Sequence, residues 1–408
     1  MRVLEIIASV DPREGGAIEG LLRQAEARHA FGLETDILCL DGPEDEWVTQ
    51  CPVPTFALGG GQRRRPTTPL NWLRTHYGYA PDYVPWLKLH AGDYDIIVVN
   101  GLWNYSVFGA RQVLPRSGIP YVVFAHGMLD PWTRGSLKHA VKQLLWLFCE
   151  GPLLMRGKAV LFTAEDEMIR ARNTFWPYRV NERIVGYGTA DIGGDPEQQI
   201  RAFRKSLPAL GDRAFLLFLG RIHPKKGCDL LVNAFSRIAA AHPGLDLVIA
   251  GPDQIGWRSE LEAQARSAGI AHRIHWPGSV FGDAKWGALR ACEAFVLPSH
   301  QENFGVAVAE ALAAGRPVLI TDKVNIWREI ESDTAGLVAT DDEAGVNDML
   351  ARFLTLPLPA RDAMSEAARD CFLRRFEISI PARQLGRTLT EIVAAHGGTM
   401  EITAGAIS

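Results

Sequence analysis

Phe295-Val-Leu-Pro-Ser-His-Gln-Glu-Asn-Phe-Gly-Val-Ala-Val-Ala-Glu-Ala-Leu-Ala-Ala-Gly-Arg-Pro-Val-Leu-Ile-Thr-Asp322 reads as strand, loop, helix and strand. Phe295 to Leu297 is an apolar run stopped by Pro298, which suits a buried parallel strand that ends at a loop. Gly305 to Ala314 is nearly all small or helix-favouring, Gly315 supplies the residue that ends the helix, and Pro317 opens the next apolar run, Val318 to Ile320. This is half of a βαβ unit. In sheets of that kind ligands sit at the carboxyl ends of the strands, here Ser299 to Gly305 and the free amides that open the helix.

Two carboxylates punctuate the unit, Glu302 on the loop and Glu310 in the helix. Eight residues of ideal helix span ~12 Å, whereas a hydrolytic pair of carboxylates stands ~5–9.5 Å apart, so the two do not readily flank one bond. They suit the two ends of an elongated ligand. A nucleotide sugar fits, with its diphosphate on the helix N-terminus, its sugar toward Glu302 and its ribose toward Glu310. A solvated loop residue and a surface helix residue are the plain alternative.

At 408 residues the chain exceeds one comfortable core, and two domains are expected. Charged residues make up 22% and the net charge is −4, so no global basic field points to nucleic acid. The six cysteines, at 39, 51, 149, 228, 292 and 371, lack CxxC or Cys/His ligand spacing, which suits free thiols in a reducing cytoplasm and no structural zinc. Met1 to Ser9 is a strand-length apolar run broken by Glu5, too short for a signal-peptide core, and no run approaches the ~18–20 apolar residues of a membrane span.

After the first strand, Gly15 and Gly16 open a helix that faces its sheet through Ile18, Leu21, Leu22 and Ala25. Their spacing, Gly-Gly-x-x-x-Gly, is not the dinucleotide fingerprint, which weakens a nicotinamide-dependent oxidoreductase. Strands are expected at Thr35–Leu40, Asp95–Asn100, Tyr121–Ala125 and Val160–Thr163. Residues 59 to 90 form an irregular aromatic segment, with Arg63 to Arg65, Trp72, His76, Tyr77, Tyr79, Tyr83 and Trp86, that suits an acceptor-side loop; a solvated loop pinned by buried rings fits equally. His126-Gly127 ends the Tyr121 strand, where α/β proteins place working residues, and Asn100 to Trp103 would line the same cleft. Residues 136 to 156 join a basic start to bulky apolar residues, so the helix either rests on a membrane surface as a peripheral contact or is a core helix with a basic edge. Gly186 to about Pro208 is polar and glycine-rich, the expected linker.

The second half opens with the strand Ala214–Leu219, then Gly220-Arg-Ile-His-Pro-Lys-Lys-Gly227, a supple turn whose cations suit a diphosphate. A helix at Asp229–Ala240, strands at Leu245–Ala250 and Ile274–Gly278, and a last helix and strand at Ile326–Ile330 and Ala335–Val338 come next. The helical pattern resumes from about Ala360 to Ala395, and Gly397 to Ser408 is expected to fray.

Glu302-x7-Glu310 within Pro-Ser-x-x-Glu-Asn-Phe-Gly, together with Gly-Arg-x-x-x-x-Lys-Gly at 220–227, resembles the signature of family four retaining glycosyltransferases. The resemblance implies the GT-B fold: an α/β architecture of two facing Rossmann-like domains, residues 1–190 on the acceptor side and 191–375 holding the nucleotide sugar, with 376–408 as a helix that crosses back to the first. It implies transfer of a sugar, with retention and without metal or cofactor, from a nucleoside diphosphate sugar to a glycan or lipid-linked acceptor in polysaccharide biosynthesis. Glu302 and His126 would serve the transferred sugar. Arg221, Lys226, Gly16, Phe304, Gly305 and Val306 would hold the diphosphate, Glu310 the ribose, and Gly278, Ser279 and Val280 the base. Lys225 would face solvent. The chain departs from the family at Gly186 to Asp191, where relatives carry a Pro-Asn-Gly-Val-Asp type sequence. A nucleotide-sugar epimerase and a non-catalytic sensor are the rivals; the first would act with no acceptor present, the second would bind donor without turnover.

Overall fold

The computed structural model describes residues 1–14, 16–60, 77–131 and 136–405, with side chains omitted at 14 and 398–405. They fall into two compact units, 1–187 with 378–408, and 188–377. The first holds a seven-stranded sheet ordered β3-β2-β1-β4-β5-β6-β7. Its strands are β1 (Arg2–Ile6), β2 (Glu34–Cys39), β3 (Thr55–Ala57), β4 (Ile96–Asn100), β5 (Tyr121–Phe124), β6 (Ala159–Phe162) and β7 (Glu182–Ile184). The second holds six strands ordered β10-β9-β8-β11-β12-β13. These are β8 (Ala214–Leu219), β9 (Leu245–Ala250), β10 (Ile274–Gly278), β11 (Ala294–Leu297), β12 (Val318–Thr321) and β13 (Gly336–Ala339).

Among the described residues every ladder is parallel, as at Val3↔Ile96 and Phe295↔Val318, with one register shift between His275 and Gly278. Parallel sheets are covered on both faces, which is why the central strands are unbroken apolar runs: Ile96–Val99, Phe215–Phe218 and Leu247–Ala250 are wholly buried. Glu5 and Asn100 interrupt this pattern, and both belong to a buried polar chain in the first unit. In each sheet the chain reverses its direction of travel once, between β1 and β4 and between β8 and β11. Crevices for ligands open at such switch points, outside the carboxyl ends of the strands.

The helices that flank these crevices or cover the sheets include α1 (Gly16–His29), α2 (Leu137–Leu145), α3 (Pro196–Ser206), α4 (Cys228–Ile238), α5 (Gly282–Ala291), α6 (Val306–Ala313) and α7 (Ser379–Gly405). α3 corrects the expectation of a plain linker from Gly186 to Pro208. Asp195 caps it by accepting from the amides of Glu197 and Gln198, Pro196 occupies its first turn, and Phe203 is buried against Phe215 with ring centroids 5.4 Å apart. The polar composition that suggests a linker belongs to the exposed face of this helix. α7 is grouped with the first unit, where Gln384 donates to the Ile184 carbonyl at 2.9 Å and His396 lies 2.7 Å from the Gly118 carbonyl. It runs to Gly405, into the stretch Gly397–Ser408 expected to fray, of which 406–408 lie outside the described residues.

For the described part of the aromatic segment, buried rings are what the structure shows. Arg63 to Arg65, Trp72 and His76 lie outside the described residues. Beyond them Tyr83 to His90 is helical, and Tyr83 is fully buried with its hydroxyl on the Ser106 carbonyl. Trp86 packs on Phe56. These two rings belong to the unit's own packing and are not free platforms for a sugar.

Candidate active site

In the second unit the loops that come after β8 and β11 are laced together. Gly227 sits at φ +64°, and a β-carbon there would lie 2.1 Å from the Pro298 carbonyl oxygen, so only glycine lets the two loops meet. The His300 amide donates to the Lys225 carbonyl at 2.8 Å. Lys225 donates through Nζ to Gln301 at 2.7 Å and is half-buried, which corrects the expectation that it faces solvent. Lys226 forms an ion pair with Glu302, both side chains largely sheltered from water. Burial, with repulsion from Arg221 second, pushes the Lys226 ammonium down to about 8; contact with the Glu302 carboxylate acts in the opposite direction. Arg221 itself is exposed, its guanidinium 3.4 Å from the Gln254 amide oxygen.

Glu302 is fixed by its backbone, its amide donating to the Lys323 carbonyl at 2.9 Å and its carbonyl accepting from Asn325 at 3.1 Å. Gly305 sits at φ +73°, where a β-carbon would come within 3.3 Å of the Glu302 Cγ. The helix starts at Val306, so only the part of the Glu302–Glu310 interval from Val306 on is helical, and the helical spacing assumed for the whole interval does not apply. Ahead of the first intrahelical bond the amides of Val306 and Ala307 have no protein acceptor among the described residues. Phe304 is buried with its ring 5.6 Å from that of Phe376, so its side chain belongs to the core.

Glu310 is not a surface residue. It is 2% exposed on α6 and accepts from Lys285 Nζ on α5 at 2.5 Å. That pair ties α5, and the Gly278–Val280 turn that precedes it, to the helix carrying the second carboxylate. Gly278 adopts φ +75° while its carbonyl accepts from the Gly251 amide. Lys285 escaped notice in the sequence because one lysine on an amphipathic helix carries no spacing signal.

The first unit carries its own cluster at the β1/β4 switch point. The start of α1 and the ends of β1, β4 and β5 line a cavity of about 120 Å³ that includes Ser9, Ala17, Asn100 and His126. Gly16 opens α1 and accepts the Tyr187 hydroxyl, while a β-carbon at Gly20 would collide with that hydroxyl. Gly101, Trp103, His126 and Gly127 all have positive φ, a concentration of left-handed backbone at the ends of neighbouring strands. Glu167 braces the turn by accepting from the amides of Gly127 and Thr163.

A chain of polar contacts reaches His126 from the core. Arg28, wholly buried, donates to Glu5 at 2.6 Å; Asn100 Nδ2 donates to the other Glu5 oxygen at 2.7 Å; Asn100 Oδ1 then faces His126 Nε2 at 2.8 Å. Because the amide nitrogen is committed to a carboxylate, the oxygen must face the ring, so Nε2 carries the proton and Nδ1 keeps its lone pair. Burial pushes the imidazolium down to about 4. The ring is therefore expected to stay neutral from pH 8 to about 5, with Nε2–H and Nδ1 resolved in imidazole nitrogen NMR spectra and no inflection near the ordinary value of about 6.5. Since the unfolded chain takes up this proton first, the stability contributed is complete above about 6.5 and falls as pH drops toward 4.

Among the described residues no cluster of His, Cys, Asp and Glu could hold a metal ion. No helix there is long and apolar enough to cross a membrane.

Two parallel-sheet units of this kind, each with its polar cluster at the switch point, are the GT-B architecture. Solved structures with this fold include sucrose-phosphate synthase from Thermosynechococcus elongatus, TM-score 0.75 at 20% identity over 97% of this chain and 99% of that one. Anabaena HepE in complex with UDP and glucose gives 0.73 at 18% identity, over 96% and 100%. The family model for glycosyl transferases group 1 matches residues 199–370, and the glycosyl transferase 4-like domain matches 15–188. Glycogen synthase of Mycobacterium tuberculosis is 33% identical over 342 residues, 79% of this chain and 72% of its own. The chain belongs to the glycosyltransferases of the GT-B, family four type. Other relatives align over less: phosphatidyl-myo-inositol mannosyltransferase of Mycobacterium leprae is 30% identical over 48% of this chain and 50% of its own. The D-inositol 3-phosphate glycosyltransferase of Actinosynnema mirum is 34% identical over 38% and 39%.

Proposed function

We propose that the protein transfers a sugar, with retention of anomeric configuration and without a metal ion, from a nucleoside diphosphate sugar to a hydroxyl of a glycan or lipid-linked acceptor in polysaccharide assembly. The observation that carries this is the laced loop pair, which holds Lys226 on Glu302 next to Gly305 and the unpaired amides of α6. Such a set of fixed donors is suited to negative charge that develops on a departing diphosphate, the place where preorganised electrostatics accelerate most. Arg221 and Lys226 supply the cations that a divalent ion would otherwise bring. When phosphate takes the Lys226 ammonium, Glu302 is released to accept from sugar hydroxyls. Glu310 exchanges Lys285 for the ribose hydroxyls, and the turn at Gly278, Ser279 and Val280 offers backbone groups to the base. In the first unit the neutral His126 lines the switch-point cavity beside the start of α1, which Gly16 opens, and both are assigned to substrate there.

HepE is described with UDP and glucose, and the relatives include mannosyltransferases, so uridine and guanosine diphosphates lead the donor screen. Thermal shift with each nucleoside diphosphate, then transfer to glycan acceptors in the presence of EDTA with NMR of the product anomer, tests every part. Stabilisation by one nucleotide and an unchanged anomeric configuration are expected. An inverted product would remove retention, isomerised or free sugar without acceptor would favour the epimerase, and binding without turnover would favour the sensor.

The Lys226 ammonium also sets a pH dependence. An anionic ligand prefers the protonated form, so affinity for the nucleotide is complete below about 8 and weakens as pH rises through that value, by up to about tenfold per unit. Calorimetric titrations between pH 6.5 and 9.5 are expected to show this loss, and Lys226→Arg to flatten it.

A further inference from the structure

The loop that carries Glu302 is tied down through two backbone bonds, from the His300 amide to the Lys225 carbonyl and from the Glu302 amide to the Lys323 carbonyl. The side chains of His300 and Lys323 meet at one carboxylate. Asp341 Oδ2 accepts from His300 Nδ1 at 3.0 Å, and its Oδ1 lies 3.4 Å from Lys323 Nζ. Asp341 is on neither loop. It comes just after β13, where the Ala339 carbonyl accepts the Asp322 amide at 2.8 Å, and just before Asp342, which caps the helix Glu343–Thr355 by accepting from the Gly345 amide at 2.8 Å. Its backbone is therefore held on both sides. Burial would raise the Asp341 carboxyl, but the bond from His300 and then the charge of Lys323 hold it below the usual carboxylate range, so the anchor keeps its charge.

We propose that Asp341 is a positioning residue for sugar transfer: through His300 and Lys323 it sets the aim of Glu302 and of the Lys225–Lys226 turn without itself meeting the substrate. This role rests on the transfer reaction proposed above for the same site. Of the two side chains, His300 depends on Asp341 more. Lys323 also pairs with Asp322 at 2.7 Å, whereas among the described residues the His300 ring makes no other hydrogen bond. A carboxylate only accepts, so Nδ1 carries the His300 proton, the opposite tautomer to that of His126. Preorganisation of this kind governs turnover more than affinity, because a nucleotide follows a displaced loop while the reacting geometry does not.

The test is a double-variant cycle in the full chain, read by kcat, donor KM and affinity for uridine or guanosine diphosphate. Asp341→Ala and His300→Ala are each expected to lower kcat about ten- to a hundredfold and to change nucleotide affinity by less than about threefold. Because the pair acts as a unit, the double variant is expected to lose no more than either single one. His300→Asn, whose Nδ2 stands two bonds beyond Cβ as Nδ1 does, should recover most of the turnover. Imidazole nitrogen spectra of the wild type should show His300 protonated on Nδ1, a signature lost in Asp341→Ala. Thermal melting monitors folding, and His300→Ala, on a loop, carries the test if Asp341→Ala melts early. Unchanged kcat in the folded variants, or losses that add in the double one, would overturn the proposal and leave Asp341 a stabilising contact alone. A loss of nucleotide affinity as large as that of Lys226→Ala would overturn it in another way, making His300 or Lys323 a direct ligand of the donor. Absence of transfer by the wild type would overturn the transfer reaction itself, and this role with it.

Discussion

Lys226→Ala is expected to lower kcat about a hundred- to a thousandfold, the scale of losing one preorganised donor to developing charge, ~3–4 kcal/mol of transition-state stabilisation. Two effects reinforce each other. The alanine removes a cation from the diphosphate and leaves the Glu302 carboxylate, 18% exposed, without the ammonium it faces. Steady-state kinetics separate the two: Lys226→Ala with Glu302 intact should depress kcat more than it raises KM, whereas Glu302→Gln should spare nucleotide affinity and reduce turnover. If Glu302→Gln and Lys226→Ala both left transfer unchanged, the site would lie elsewhere. Lys225→Ala, which loses one hydrogen bond to Gln301, is expected to change kcat by less than about tenfold.

Glu5→Ala should produce the largest loss of stability, about 3–5 kcal/mol, because it strands a buried charge. Arg28 is wholly buried, so the substitution leaves its guanidinium away from solvent without the carboxylate it pairs with. The cost is expected in the denaturant transition of the first unit, while the second unit keeps its own midpoint. The same carboxylate commits the Asn100 amide and through it the His126 tautomer. Glu5→Leu with Arg28→Met should recover most of the stability, since apolar replacement of a whole buried pair is often neutral or better. It would leave Asn100 free to turn over. A double variant that is stable, yet shows His126 protonated on Nδ1 and lowered turnover, separates positioning from folding; normal turnover would assign the pair to structure alone.

Much of the second unit was legible because its central strands β8 and β11 are unbroken apolar runs and its loops carry specific spacing: Phe295–Leu297, Gly220–Gly227 and Glu302 to Glu310 all fall where a doubly wound sheet places them. The edge strands β3 and β7 were not legible. Each is three residues long, and Glu182-Arg-Ile has no apolar pattern to read. Lys285 and Glu5 were illegible for another reason. Their meaning comes from partners 25 and 23 residues away and, for Asn100, 95 away, distances that no local period records. The burial of Glu310 belongs to the same class: helix periodicity in Val306–Ala313 is uniformly apolar, so it does not reveal which face receives the carboxylate.

The grouping of 378–408 with 1–187 makes the 188–377 body an insert within a discontinuous one. On the ribosome the insert has all of its own sequence before the outer body does. The earlier-made β7 must wait for Gln384, 200 residues later, to bond the Ile184 carbonyl. Assembly of the earlier half is thus timed by α7, and a messenger cut short within that helix would yield a finished insert attached to an incomplete companion.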